Sequence, residues 1–215
     1  MKDIKAVFWD FGGVITTSPF DSFNTYEATN NLDKDFIRKV NSTNPDINAW
    51  AKLERNEIDI VEFNDLFFSE SSSLGHGIYG IEVIKLLQGQ LRPEMIKALK
   101  AIQGNLVQAC LTNNIVSPET TLSDENVSIA GKNDEVMSLF DFVIASSEQN
   151  VRKPDPAFYH LALKEAKVDP EEAVFLDDLG INLKPAKALG MHTIKVVNSQ
   201  DALKELNSLL FINIL

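Results

Sequence analysis

Apolar residues fall into two rhythms along this chain. Short unbroken runs at Lys5 to Trp9, Leu106 to Leu111, Phe142 to Ala145, Ala173 to Leu176 and Thr193 to Val197 have the length and make-up of buried strands. Between them the apolar spacing widens to three and four residues. That spacing predicts helices over Pro93 to Gln103, Pro156 to Ala166, Leu183 to Leu189 and Asp201 to Leu209. Strands alternating with helices imply an α/β fold, with parallel β-α-β units joined by right-handed crossovers.

The stretch from residue 18 to about 90 lacks a strand of this kind. It predicts helices around Phe20–Thr29, Lys34–Val40, Asn48–Arg55, Ile60–Phe68 and Ile81–Leu87, with Asp59 and Asn44 as helix-start residues. An all-helical insertion of this size is expected to sit over the mouth of a sheet as a cap. The expected division is therefore a core of residues 1–17 and 91–215, with a cap of residues 18–90. The Ser- and Gly-rich segment 71–80 reads as the most flexible part of the insert. The polar stretch from Ser117 to Asp134 reads as a second loop.

Polar residues close three of the apolar runs. Asp10 ends the first, Thr112 and Asn113 the second, and Asp177 with Asp178 the fourth. In a parallel sheet those ends share one edge, where ligands bind in open α/β folds. Three carboxylates gathered there need a cation to remain ionised. An oxygen-rich set of this type suits Mg²⁺. Thr112 offers a hydroxyl and Asn113 an amide donor to an anionic oxygen. Lys153, in VRKPDPAFY, supplies positive charge; Pro154 keeps the helix from starting at the lysine, and Pro156 fits its first turn. A carboxylate nucleophile, a cation, a hydroxyl and an ammonium together make a phosphoryl-transfer site.

Composition narrows the partners. The formal net charge of −11 disfavours nucleic acid. It leaves room for a small phosphorylated substrate, because a bound cation and one lysine invert the local field. No apolar run approaches a membrane span, and the N-terminus enters the first strand without a signal-peptide pattern, so a cytoplasmic protein is expected. The single cysteine, Cys110, lies inside a strand and reads as a structural thiol. The apolar tail LLFINIL reads as a last packed element, with a dimer contact as the other option. Nothing in the sequence indicates the oligomeric state.

The order of four motifs carries a resemblance. D-x-G-G-V from Asp10, T-N-N from Thr112, K-P-D-P from Lys153 and F-L-D-D-x-G-x-N from Phe175 resemble the haloacid dehalogenase-like hydrolase superfamily. Within it, segments 140–163 and 174–191 are most similar to the phosphatase domain at the N-terminus of bifunctional soluble epoxide hydrolases. Those proteins open epoxides with a separate domain, which is not expected within these 215 residues. The resemblance implies a Rossmann-like three-layer α/β/α core with a parallel sheet, plus an inserted α-helical cap. It implies a Mg²⁺-dependent phosphatase of a small phosphomonoester, acting through an aspartyl-phosphate on Asp10. Thr112 and the Asn113 amide would bind phosphate oxygens, and Lys153 would balance charge on Asp10 and the phosphate. Asp10, the Gly12 carbonyl and Asp178 would hold the metal. Asp177 would bind it through water or fix Lys153, and Asn182 would organise the loop.

One position departs from that pattern. Most phosphatases of this superfamily carry a second aspartate two residues after the nucleophile, where this chain has Gly12. Loss of a general acid-base carboxylate is worth roughly 10²–10⁴-fold in rate. Three readings follow: a phosphatase with another acid or a good leaving group, a slow enzyme that stalls at the phosphoenzyme, or a protein that binds without turnover. A metal-independent dehalogenase also lacks that aspartate, but would gain nothing from Asp177 and Asp178. In the insert, Trp50 either stacks on a substrate or packs in the cap core, and Arg55 either pairs with an anion or is solvated. His76 is either a substitute acid or an exposed loop residue. His160 and His192 read as structural.

Overall fold

The computed structural model describes residues 2–87, 89–113 and 134–214. In chain order its elements begin with β1 (Ala6–Trp9), a π-helical turn (Phe11–Ile15), α1 (Phe20–Thr29), α2 (Phe36–Ser42), α3 (Ala49–Glu54), α4 (Ile60–Ser73) and α5 (Gly80–Lys85). Then come α6 (Pro93–Ile102), β2 (Val107–Thr112), α7 (Asp134–Met137), β3 (Phe142–Ala145), α8 (Ser146–Gln149) and α9 (Pro156–Ala166). A 3₁₀ turn (Pro170–Glu172), β4 (Ala173–Asp177), α10 (Gly180–Ala188), β5 (His192–Lys195) and α11 (Ser199–Leu209) complete the described chain. The described residues form two compact units, one of residues 2–18, 89–113 and 134–214, the other of residues 19–87. Most of the loop expected from Ser117 lies outside the described residues; its last member, Asp134, opens α7.

The first unit is a five-stranded parallel sheet in the order β3-β2-β1-β4-β5. All four residues of β1 are buried, because a central strand of a parallel sheet is covered on both faces. Val7 and Trp9 join Cys110, Val174 and Leu176 on one face, packed by Met95, Ala98 and Leu99 of α6 and Leu203 and Leu206 of α11. Ala6 and Phe8 face the other way with Leu111 and Phe175, against Phe158 and Tyr159 of α9 and Ala186 of α10. The result is a three-layer, Rossmann-like arrangement, built on the parallel β-α-β units that the alternating pattern predicts. Cys110 is buried and free, and burial pushes its thiol well above the usual range. From the apolar tail, Leu210 and Ile214 pack into the core while Phe211 is exposed.

The chain leaves this unit and returns to it at one place. Thr17 N–H donates to the Gln90 carbonyl at 2.8 Å, and Gln90 N–H donates to Thr17 Oγ1 at 3.0 Å. Thr16 and Leu91 form an antiparallel bridge beside them. Among the described residues no helix is long and apolar enough to cross a membrane.

In the second unit, helices α1 to α5 gather around Phe23, Phe36, Ile37, Phe63, Phe67 and Ile84. The unit starts α4 with a capping box in which Asp59 and Glu62 satisfy each other's backbone N–H groups. Asn44 is not the helix start it was expected to be. Its φ is 50°, a left-handed turn, and Asn48 caps α3 instead by accepting from Ala51 N–H. The buried carboxylate of Glu27 caps α2 from another helix, accepting from the N–H groups of Asp35 and Ile37. The segment 71–80 is more ordered than its composition suggests, because α4 runs on to Ser73.

Candidate active site

Register brings the polar strand ends together. Trp9 lies level with Cys110 on one side and Leu176 on the other. One residue further along, Asp10 and Asp177 emerge side by side, and Asp10 N–H donates to the Leu176 carbonyl at 2.9 Å. Thr112, the last residue of β2, and Asp178 follow at the same edge. Carboxylate oxygens of Asp10, Asp177 and Asp178 all lie within 4.8 Å of one another.

Lys153 stands between two of these carboxylates. Its side chain is buried, with Nζ 2.8 Å from Asp10 Oδ1 and 2.9 Å from Asp177 Oδ2. Its Nζ also lies 5.4 Å from the centre of the Phe175 ring. Burial opposes the charge on Lys153, but Asp10 and Asp177 outweigh it and hold the ammonium above the usual lysine range. The Lys153–Pro154 peptide is cis. Asn113 grips the lysine by its backbone: Oδ1 accepts from Lys153 N–H at 2.9 Å and Nδ2 donates to its carbonyl at 3.0 Å. The Asn113 side chain is thus engaged with the Lys153 main chain through both its oxygen and its nitrogen.

The two neighbouring aspartates differ in their surroundings. Asp177 is fully buried and accepts from Leu179 N–H, Asn182 Nδ2 and Lys153 Nζ. Its oxygens are committed to protein donors, and it fixes both the lysine and the loop that follows. Tyr159 extends the chain by donating to the Asn182 carbonyl at 2.7 Å. The Asp178 side chain accepts from Ser18 Oγ at 3.4 Å. Burial, and then the charge of Asp177, raise its carboxyl to about 6. Asp10 is pushed well above the ordinary range by burial, against the pull of Lys153. Its Oδ1 accepts from Phe11 N–H and Lys153, and Oδ2 has no donor among the described residues.

The turn after Asp10 needs its glycines for different reasons. Gly13 has a φ of 79°, and a Cβ there would collide with the Asp178 carboxylate. Gly12 has φ −67° and ψ 129°, open to any residue, and a Cβ would meet nothing within 4 Å. A general acid at position 12 is absent because of the sequence, with the space for one left open.

The donor set answers the question of a cofactor. Three crowded carboxylates face one ammonium, so their joint ionisation leaves an excess of negative charge that a divalent cation would balance. All candidate donors are oxygens, which fits a hard cation such as Mg²⁺ better than a soft one. Asp10, Asp178 and the Gly12 carbonyl could hold it, with Asp177 bound instead to Lys153 and Asn182.

Within the helical unit, the other candidates have local partners. Trp50 packs edge-on against Phe63 and donates to Glu54, and Arg55 pairs with Glu57 and the Asp46 carbonyl. His76 sits edge-on against Phe36, while His160 is exposed on α9 and His192 begins β5. Sequence reading overlooked Tyr159, Ser18 and Arg92. The only available signal was for Tyr159, an apolar-face position of α9 bearing a polar atom.

Comparison with known proteins places this arrangement. The mouse acyl-CoA dehydrogenase family member 10 is 32% identical over 218 residues, covering 97% of this chain and 19% of that protein. The mouse bifunctional epoxide hydrolase 2 is 38% identical over 115 residues, covering 54% of this chain and 20% of that protein. The chain thus spans about a fifth of the length of these two relatives. The sesquiterpene phosphatase astK of Aspergillus oryzae is 29% identical over 210 residues, covering 95% of this chain and 96% of that protein. Among solved structures, a HAD family enzyme from Bacteroides thetaiotaomicron in complex with magnesium and inorganic phosphate has the same fold. The TM-score is 0.58 at 20% identity, over 89% of this chain and 93% of that one. A family model described as haloacid dehalogenase-like hydrolase matches residues 4–190, and the chain belongs to that family.

Proposed function

We propose that this hydrolase is a Mg²⁺-dependent phosphatase that cleaves a small phosphomonoester through an aspartyl-phosphate on Asp10. The observation that carries the reading is the convergence of Asp10, Asp177 and Asp178, with the buried Lys153 bound to the first two. The same centre suits a metal-free displacement at carbon poorly, since buried carboxylates in excess are costly without a cation. A full-length relative named as a sesquiterpene phosphatase supports phosphomonoester chemistry and makes an apolar phosphate ester a substrate worth testing.

In this reading Asp10 Oδ2 attacks phosphorus while Lys153 holds Oδ1. The bond from phosphorus to the leaving oxygen breaks, and the leaving oxygen keeps the electron pair and takes a proton from water. Water then opens the aspartyl-phosphate, releasing inorganic phosphate and restoring the carboxylate. Mg²⁺, when bound, supplies positive charge for Asp10 and the phosphoryl oxygens. Thr112 and the Asn113 N–H hold those oxygens, and Lys153 offsets charge from the opposite side. Residues 18–90 are the cap in this reading. With Gly12 in place of an acid, the reaction favours leaving groups that need little protonation.

The test is phosphate release from aryl, sugar, nucleotide and terpenyl phosphates, with and without Mg²⁺, beside Asp10→Asn. Metal-dependent release that vanishes in the variant supports the reading. Release that persists in Asp10→Asn overturns the nucleophile, and silence on every ester directs attention to a dehalogenase or a binding protein.

A further inference from the structure

We infer that Arg92 is a positioning residue for the Asp10 and Asp178 centre, acting through the turn that joins them. The inference rests on the phosphatase reading for its functional readout, and on the geometry of the turn for its substance.

After Asp10 the backbone makes a π-helical turn, Phe11–Ile15, that is non-helical at Gly12 and Gly13. Such a turn leaves carbonyls without regular partners. Its closing bond runs from Thr16 N–H to the Phe11 carbonyl. Three of the next carbonyls all bond to one residue. Gly13 O accepts from Arg92 Nη2 at 3.4 Å, Ile15 O from Arg92 N–H at 2.9 Å and Thr16 O from Arg92 Nε at 3.0 Å.

The held segment touches Asp178 at both ends. Gly13 is packed so closely against the Asp178 carboxylate that a Cβ would not fit. Ser18 Oγ donates to Asp178 Oδ2. Moving the segment therefore shifts Asp178's neighbours and the backbone leading out of Asp10. Arg92 is a firm anchor because it precedes α6, whose Met95, Ala98, Leu99 and Ile102 are buried in the core. Its forked guanidinium spans two carbonyls in fixed geometry, which a lysine, with one point charge, cannot do.

The experiment compares wild type, Arg92→Gln, Arg92→Lys and Ile102→Val. The last is a mild core change on the same helix that leaves the turn's bonds intact. Mg²⁺ binding is measured by calorimetry, and phosphate release from an aryl phosphate is titrated with Mg²⁺. Arg92→Gln is expected to weaken Mg²⁺ binding about tenfold and to lower kcat by roughly 10²-fold, the scale of a 1 Å misplacement. Arg92→Lys should recover part of both, and Ile102→Val should move neither. Mg²⁺ binding and kcat within twofold of wild type in Arg92→Gln overturn the inference. So does an equal shift in Ile102→Val. Should Arg92→Gln fail to fold, wild-type values in Arg92→Lys overturn it in the same way, and weakened Mg²⁺ binding there supports it. Should wild type itself neither bind Mg²⁺ nor release phosphate, the phosphatase reading falls, and hydrogen exchange of amides 11–18 decides. Faster exchange in the Arg92 variants than in Ile102→Val supports positioning; equal exchange overturns it.

Discussion

Asn113 holds Lys153 by its main chain rather than by its charge. The carboxamide closes a two-bond ring on the lysine peptide, with contacts of 2.9 and 3.0 Å. The ammonium at the other end of that side chain then reaches Asp10 and Asp177. A polar side chain at the end of β2 thereby sets where the positive charge of the site stands.

Asn113→Ala should therefore act on catalysis through Lys153. The expected loss in kcat is roughly 10²-fold, as for a small misplacement of a charged group. Stability should fall by about 2 kcal/mol for two hydrogen bonds. Mg²⁺ binding should change little, because the two bonds described run to Lys153 and not to a carboxylate. Steady-state kinetics with calorimetric Mg²⁺ titration checks all three, and a Mg²⁺ affinity that falls with kcat would contradict this division.

The two adjacent aspartates should respond differently to substitution. Asp177→Asn breaks a buried ion pair with Lys153 and should cost about 3–5 kcal/mol in stability. Asp178→Ala should leave the fold intact and abolish Mg²⁺ binding. Denaturant melts beside metal titrations separate them. Equal loss of metal in both variants, with no destabilisation of Asp177→Asn, would put Asp177 among the metal ligands.

Asp178 also gives the metal-free protein a pH signature. Its carboxyl is raised from an ordinary 3.8 to about 6, first by burial and then by Asp177. Between those values the folded state keeps a proton that the unfolded state has released. The contribution to stability is thus fully present below pH 4 and is lost as the pH rises through 6. Its size is roughly 2–3 kcal/mol. Urea melts in a chelator from pH 4 to 7 should show this decline, and Asp178→Asn should flatten its share. An unchanged slope in the variant would show that other groups, Asp10 foremost, carry it.

The two glycines of the turn make a matched pair. Gly12→Asp enters open space at an ordinary backbone conformation, so the fold should tolerate it. If the new carboxylate serves as the missing acid, phosphate release should rise by as much as roughly 10²-fold. Gly13→Ala needs a left-handed residue and meets the Asp178 carboxylate, so it should lose Mg²⁺ binding and activity. Melting curves and release rates distinguish the two, and a Gly13→Ala variant with wild-type metal affinity would refute the close packing described above.

What could be read in the sequence followed from repetition and from strand ends. The run VFWD places one carboxylate at the end of a fully buried strand, and the same logic picks out Thr112 and Asp177. Boundaries set by side-chain capping were harder. The serines after Phe68 read as a flexible stretch, yet Ser72 and Ser73 bond to carbonyls one turn back and stay within α4. Helix α10 begins at Gly180, earlier than its apolar spacing indicates, and carries Pro185 inside it. Arg92 left no trace at all, because its partners are main-chain carbonyls, which every residue has. The partnership of Asn113 with Lys153 is hidden for the same reason.

The bond from Thr17 to Gln90 has a consequence for how this protein can change over time. The two ends of the helical segment meet in the sheet unit, and neither of that unit's hydrophobic clusters draws a residue from 19–87. The junction works as a socket. Joining its ends directly, or seating a longer, shorter or differently folded segment between them, asks for little loop-closure entropy and leaves the layers around β1 unbroken. Whatever the inserted segment contributes can be exchanged by lineage or by design, while Asp10, Lys153 and Asp178 keep their places.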